Sequence, residues 1–333
     1  MTVTGEPGLV SVVVASYNHA AYLPQRMESL LAQTYAPIEI LVIDDRSPDN
    51  SVEVLQRYAG DPRVRLIVRE TNGGWVTVSN QGVQMARGEY VIFANCDDAC
   101  EPTMVERLVE GMRRSPTTGI SFCRSLLVDE RSRVIGDDYE IRESSFRTRC
   151  RADTVLTGVE MRQFLFESCV IPNLSAALIR RECFETVGLL SGAYRVVCDW
   201  DLFFRIFERY DASYIAEPLN WFRQHATTIR SSTKERVVYD EYLRLLLPQV
   251  HRVPMTALSR LRARVRVMSI WSLHLVSPQV GGLRDFPHHA ALVLAHDPAA
   301  LLLLPVALVR RVAQVIQTLL RGQPSPRAMA AVA

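Results

Sequence analysis

The feature that most constrains this chain is an apolar run, Tyr90 to Ala94, that ends abruptly at Asn95-Cys96-Asp97-Asp98. Such a run is long enough for one strand and too short for a helix. Adjacent carboxylates at the end of a buried strand repel each other unless something positive sits beside them. Hard divalent cations prefer oxygen ligands, and in open α/β sheets ligands gather outside the carboxyl ends of the strands. The competing use is local: an Asp ahead of a helix satisfies free backbone N–H groups, and a helix is expected to begin near Pro102. The doublet alone leaves both uses open.

The preceding residues repeat the pattern. Leu9 to Ala15 is a β-branched run of the kind buried on both faces of a sheet, and it ends in Ser16-Tyr17-Asn18-His19. A helix is expected over Ala21 to Ala32, with Leu23, Met27, Leu30 and Leu31 on its apolar side. Ile38 to Ile43 reads as a second buried strand, ending at Asp44-Asp45. Turn chemistry follows, with Asn50 or Ser51 capping a helix to about Tyr58. Val64 to Val68 is a third strand, Asn72-Gly73-Gly74 a loop open to close backbone approach, and Val76 to Met85 a helix. This alternation predicts an α/β fold with a mostly parallel, doubly wound sheet. Strands one, two and four all end in polar or acidic residues, so three strand ends are expected to line one crevice. No GxGxxG follows the first strand and no Walker A loop is present, which argues against an NAD-type oxidoreductase.

The segments VSVVVASYNHAAYL, EILVIDDRSPDNS and NGGWVTVSNQGVQMARGEYVIFANCDD resemble, in that order, the nucleotide-sugar-binding half of family-2 inverting glycosyltransferases. VVCDWDLFFRIFERYDASYIAEPLNWFRQH resembles their acceptor half, with its acidic base motif and closing Arg-x-His. The likeness spans roughly residues 8–226 and implies a GT-A fold: a Rossmann-like, mostly parallel central sheet flanked by helices. It implies a catalytic domain over 1–230, with a donor half at about 8–100 and an acceptor half at about 101–230. By this resemblance Ser16, Tyr17, Asn18, Asp44, Asp45, Asn72, Gly74, Asn95 and Asp97 would bind a nucleoside diphosphate sugar. Asp97 and Asp98 would hold Mg2+ or Mn2+ against the diphosphate, and His225 from the terminal motif would complete the metal site or meet the diphosphate itself. Asp199 would be the general base, with Asp201 as fallback, and Asn173, Ser175 and Trp200 would touch the acceptor. Two positions depart from the commonest pattern at charged sites: Asn95 stands where Asp is usual and Cys198 where Glu is frequent. Arg46 stands where Gly usually follows the paired acids.

The resemblance implies transfer to a hydroxyl of a glycan, glycolipid or small glycoside, as in bacterial surface-polysaccharide or cell-envelope assembly. The Gln-x-x-Arg-Trp motif of processive synthases is missing, which points to one or a few sugars per acceptor. The alternative is a nucleotide-sugar-binding or scaffold protein that has lost turnover.

Charge sets limits on partners. A net charge of +2 argues against a nucleic-acid binder, which carries a strongly basic face. The total conceals a division: residues 240–333 carry +7 and residues 1–239 carry −5. Seven cysteines without a CxxC pair read as reduced core residues, and no signal-peptide pattern opens the chain, so a cytoplasmic location is expected. Residues 231–320 read as a helical C-terminal extension, and 321–333 as a disordered tail. Within the extension, arginines interleave with apolar residues at 260–266, and Arg310-Arg311 follow an uncharged run. It therefore either packs on the sheet domain or touches the inner face of the plasma membrane peripherally. Residues 124–157 read as an excursion over the site, a mobile lid. Oligomeric state leaves no sequence signal here.

Overall fold

The computed structural model describes residues 5–142, 144–225, 233–275 and 282–310. The chain forms two compact units. The first takes in the chain up to Met161 with Val170–Gly192 and Leu202–His225; the second takes in Arg162–Cys169, Ala193–Asp201 and the described residues after His225. Two short segments inside the expected catalytic stretch thus group with the helical residues.

The first unit is built on one sheet. Its strands are β1 Glu6–Ser16, β2 Ile38–Asp44, β3 Val64–Val68, β4 Gly88–Phe93, β5 Ala99–Cys100, β6 Thr118–Val128, β7 Val134–Asp137, β8 Thr154–Leu156, β9 Ala177–Arg180 and β10 Asp211–Arg223. Their order is β3-β2-β1-β4-β9-β6-β10-β5, with β7 on β6 and β8 on β10. The first four are mutually parallel. β9 runs antiparallel to both β4 and β6, so β6, and β10 parallel to it, point the same way as β1. The carboxyl ends of β1, β2, β4 and β10 therefore open on one edge of the sheet, the edge where ligands collect in this architecture.

Local sequence explains the layers. Every residue of β2 is buried, as the unbroken apolar run requires of a strand covered on both faces. Helices Leu23–Leu31, Ser51–Gln56 and Trp75–Met85 connect the parallel strands. Leu23, Met27 and Leu30 join Val12, Ile40, Ile92 and Leu108 in one apolar core. Gly82 lets helix Trp75–Met85 lie close on β1, because a Cβ there would fall 2.1 Å from Val13 Cγ1.

Three expectations change. The helix after Asp98 begins only at Met104, beyond β5, so Asp97 and Asp98 are not its cap. Neither Asn50 nor Ser51 caps Ser51–Gln56 with its side chain; Asp49 accepts from Ser51 N at 3.1 Å and from Ala20 N at 3.0 Å, tying two loops together. Residues 124–157, read as an excursion, supply the end of β6 and all of β7 and β8. Polar residues such as Ser121 and Ser125 hid β6 as a strand, yet both are fully buried in the sheet.

The second unit contains helices Glu235–Arg252, Ala257–Leu275, Gly282–His296 and Pro298–Leu301, with 304–310 also helical. Leu243, Leu246, Leu247, Val250, Val267 and Trp271 are buried at helical spacing. Among the described residues no helix is long and apolar enough to cross a membrane. Residues 311–320 of the expected extension, and the expected tail 321–333, lie outside the described residues.

Candidate active site

The loop after β1 is shaped by left-handed backbone at Asn18, φ 55°, a conformation that Asn tolerates better than most residues. Asn18 N donates to Ser47 Oγ at 3.0 Å, and Ser16 Oγ donates to Asp44 Oδ2 at 2.9 Å. Asp44, fully buried, also accepts from Ser47 N and Ser47 Oγ at 2.8 and 2.6 Å. Asp45 accepts from Gly73 N and Gly74 N, each at 2.8–3.1 Å, and pairs with Arg69 at 3.2 Å. The paired acids read as donor contacts are thus first of all clamps that lock three loop ends together. Asn72 is exposed beside them and accepts from Gly74 N at 3.2 Å. Tyr17 presents an exposed ring, 44% accessible. Arg46 also adopts left-handed backbone, φ 59°, which gives a physical reason for the glycine expected there. Its guanidinium donates to Glu70 O.

The acidic turn after β4 is held from below. Arg26, on the apolar face of Leu23–Leu31 and fully buried, donates Nε to Asn95 O at 2.8 Å and lies 4.0 Å from Asp98. Asp98 is 1% exposed. Its Oδ1 accepts from Arg223 N, and its Oδ2 accepts from Asn95 Nδ2 and Asn173 Nδ2 at 3.2 and 2.7 Å. Burial, then the charge on Asp97, pushes its carboxyl up to about 6. Asp98 is therefore the internal hub of the turn and offers no oxygen to the ligand set described next. Asn173 and Ser175, expected to face the acceptor, are buried in the same network. Asn173 binds Asp98 and caps the short helix Leu174–Ala176, and Ser175 Oγ accepts from Asn95 N at 2.9 Å. Buried polar groups need such partners, and these two spend theirs on positioning.

Asp97 faces outward from that hub. Its Oδ2 accepts from His225 Nε2 at 2.8 Å. Burial raises the Asp97 carboxyl, but the His225 hydrogen bond and the two nearby imidazoles outweigh it and hold the group below the usual range. The third member is His19, a loop residue to which the motifs assign no role. Ligand atoms of His19, Asp97 and His225 lie within 4.8 Å of one another. His19 Nδ1 sits 2.6 Å from Tyr17 O. A carbonyl can only accept, so Nδ1 bears a proton, and in the neutral ring the lone pair lies on Nε2. That Nε2 is buried and has no partner among the described residues. Arg223, 1% exposed, braces the set: it donates to Asp97 O, Asp129 O and Gln25 Oε1 and stacks 4.8 Å over Tyr22.

The glycosyl transferase family 2 model matches residues 11–188, more than half of the chain. The chain belongs to that family. Among relatives of this family-2 chain, glycosyltransferase GlyG of Streptococcus pneumoniae is 41% identical over 198 residues, covering 55% of this chain and 60% of GlyG. The uncharacterized glycosyltransferase EpsJ of Bacillus subtilis is 33% identical over 190 residues, covering 55% and 51%. The chain thus spans about half the length of the curated relatives it matches. Among solved structures, S. aureus TarS 1–349 in complex with UDP-GlcNAc superposes with a TM-score of 0.66 at 15% identity, covering 95% of this chain and 92% of that one. Mannosyltransferase PcManGT from Pyrobaculum calidifontis, in complex with GDP-Man and Mn2+, gives 0.50 at 14% identity, covering 92% and 86%. At these identities the structures establish the fold, and it is the GT-A fold expected of the family.

The remaining candidates of this family-2 chain belong to the second unit. Asp199 and Asp201 lie in the first turn of helix Cys198–Ile206, and Asp199 Oδ1 accepts from Trp200 N at 2.7 Å. Trp200, 6% exposed, packs edge-on to Tyr242 at 5.5 Å. Glu241, which the sequence did not single out, accepts from the N–H groups of Arg195, Val196 and Val197 at 2.8–3.3 Å. It pins the loop that leads into the Asp199 helix. Nothing in the sequence marks this role, because a glutamate amid helical Leu and Arg residues looks like any solvated one.

Proposed function

We propose that the chain transfers a sugar from a nucleoside diphosphate sugar to a hydroxyl of a glycan, glycolipid or small glycoside, with inversion at the anomeric carbon. The observation that carries this reading is the convergence of His19, Asp97 and His225 at the strand ends of a family-2 sheet. The UDP-GlcNAc and GDP-Man bound by the two structural neighbours support a nucleotide-sugar donor. The exposed Tyr17 ring offers the base a stacking face, and Asn18, Asn72 and Gly74 border the loops that Asp44 and Asp45 hold in place.

The residues present also fit a divalent cation. His19 offers a buried, unpartnered lone pair, and Asp97 is held ionised. Carboxylate oxygen suits Mn2+ or Mg2+, and Mn2+ accompanies GDP-Man in the mannosyltransferase neighbour. When bound, the ion neutralises charge on the departing nucleoside diphosphate. Asp98, Asn95, Asn173 and Arg223 keep the Asp97 carboxylate in place. Asp199 serves as the base: it takes the acceptor proton as the new C–O bond forms opposite the leaving group, worth ~10²–10⁴-fold in rate. Asp201 is the fallback. Peripheral attachment at the inner face of the plasma membrane belongs to the same proposal, supported by the exposed Leu294, Leu302, Val306 and Val309 beside Arg310.

The test is release of nucleoside diphosphate from UDP-, GDP- and dTDP-sugars, with and without Mn2+. Metal-dependent release is expected, reduced ~10²–10⁴-fold by Asp199→Asn with donor affinity retained. Donor binding with no release, unaltered by Asp199→Asn and by Asp201→Asn, would instead identify a nucleotide-sugar-binding protein.

A further inference from the structure

The helical unit gathers a second set of metal-ligating side chains that sugar transfer does not use. Helices Glu235–Arg252, Ala257–Leu275 and Gly282–His296 bring Asp240, His274, Asp285, His288 and His289 together. We propose that Asp240, His288 and His289 bind a zinc-class transition-metal ion within this unit.

Ligand atoms of these three residues lie within 4.8 Å of one another. Small side-chain rotations would bring them to the ~3.4 Å separation that bonds of ~2.0–2.1 Å impose in a tetrahedral site. Independent support comes from His289. Its side chain is fully buried, and neither Nδ1 nor Nε2 has a partner among the described residues. A neutral imidazole carries one donor and one acceptor, and burying both unpaired is unfavourable. An ion beside His289 satisfies the lone pair, which an apolar neighbour cannot do. The carboxylate is already oriented for the task. Arg244 Nε holds Asp240 Oδ2 at 2.8 Å, while Asp240 Oδ1 faces His288 Nε2 at 2.6 Å. His274 stands 5.3 Å from the His289 ring, with its Nε2 3.3 Å from Asp285, itself paired with Arg236 at 3.4 Å. Trp271 lies edge-on to His289 and stacks on Phe286, closing an apolar wall. Two imidazoles and one carboxylate suit zinc, with a fourth position left for water.

The full chain carrying Asp97→Asn, which disables the strand-end set, is stripped with chelator and titrated with Zn2+ and with Co2+. One equivalent is expected to bind, with a tetrahedral cobalt absorption spectrum and a rise in Tm. Adding His288→Ala, at a side chain 40% exposed, is expected to weaken binding by more than the ~10–100-fold typical of losing an outer partner. In the otherwise native chain, His288→Ala leaves nucleoside diphosphate release unchanged. Asp240→Asn is the second variant should His288→Ala not fold. No uptake by the Asp97→Asn chain, or uptake that survives both substitutions, overturns the proposal and identifies a purely structural histidine network.

Discussion

Arg26 is the residue on which the acidic turn rests, and its position was open to view. It falls three residues after Leu23 and four before Leu30, squarely within an apolar stripe where a charge signals a buried partner. Its partner is Asp98, 72 positions along the chain and linked to it by no sequence periodicity. Breaking a buried pair from one side leaves the other charge uncompensated, which costs about 3–5 kcal/mol. Arg26→Met should therefore lower stability by that order in urea unfolding. A loss below about 1 kcal/mol would mean that Asp98 is neutralised by its other neighbours. His19 teaches the complementary lesson. Its loop was legible as polar, yet its free Nε2 becomes meaningful only when Tyr17 O claims Nδ1 and Asp97 and His225 arrive alongside.

At the scale of elements, helix-on-strand contact decides what each position tolerates. Gly82→Ala places a methyl 2.1 Å from Val13 Cγ1, and overpacking of this kind costs about 1–3 kcal/mol; the check is the denaturation midpoint. β2 carries its own electrostatic element. Glu39 is buried and accepts from Ser11 Oγ at 2.5 Å and from Arg87 N and Nε at 2.8 and 3.0 Å. Burial raises its carboxyl, but these hydrogen bonds and the Arg87 charge outweigh burial and lower it below the ordinary 4.5. A lowered carboxyl stabilises the fold above its unfolded-state value, and that contribution is lost as pH falls through the folded-state one. Glu39→Gln should thus be less stable than the native chain by about 1.5–3 kcal/mol at neutral pH. The gap should close as pH drops below about 4.3. A gap independent of pH would assign the effect to packing. Element identity was largely readable: Val64 to Val68 emerged as β3 unchanged, because a short apolar run between turn signals is a local pattern. β6 was not readable, because Ser121, Arg124 and Ser125 interrupt its hydrophobicity, and the partners of Arg124 and Ser125 come from segments that only the folded sheet brings alongside.

For the molecule as a whole, donor and cation should bind as linked ligands, since both are proposed to meet at Asp97. A nucleotide sugar in Mn2+ should raise Tm more than the two do separately, with ~2.7 kcal/mol of stabilisation at a hundredfold excess over Kd. Asp97→Asn should abolish that synergy in a thermal-shift series while leaving the unliganded melt close to native. The alternating runs, the acidic strand ends and the motif order determined the family, the mostly parallel sheet and the edge where ligands collect, because burial and turn chemistry are written in neighbouring residues. Tertiary structure alone decided which acids face solvent and which brace the turn. Asp97 and Asp98 are adjacent in the chain, but Arg26, Asn173 and Arg223 claim one of them, and His19 and His225 attend the other. Such choices rest on hydrogen bonds between segments far apart in sequence, where no local pattern carries the information.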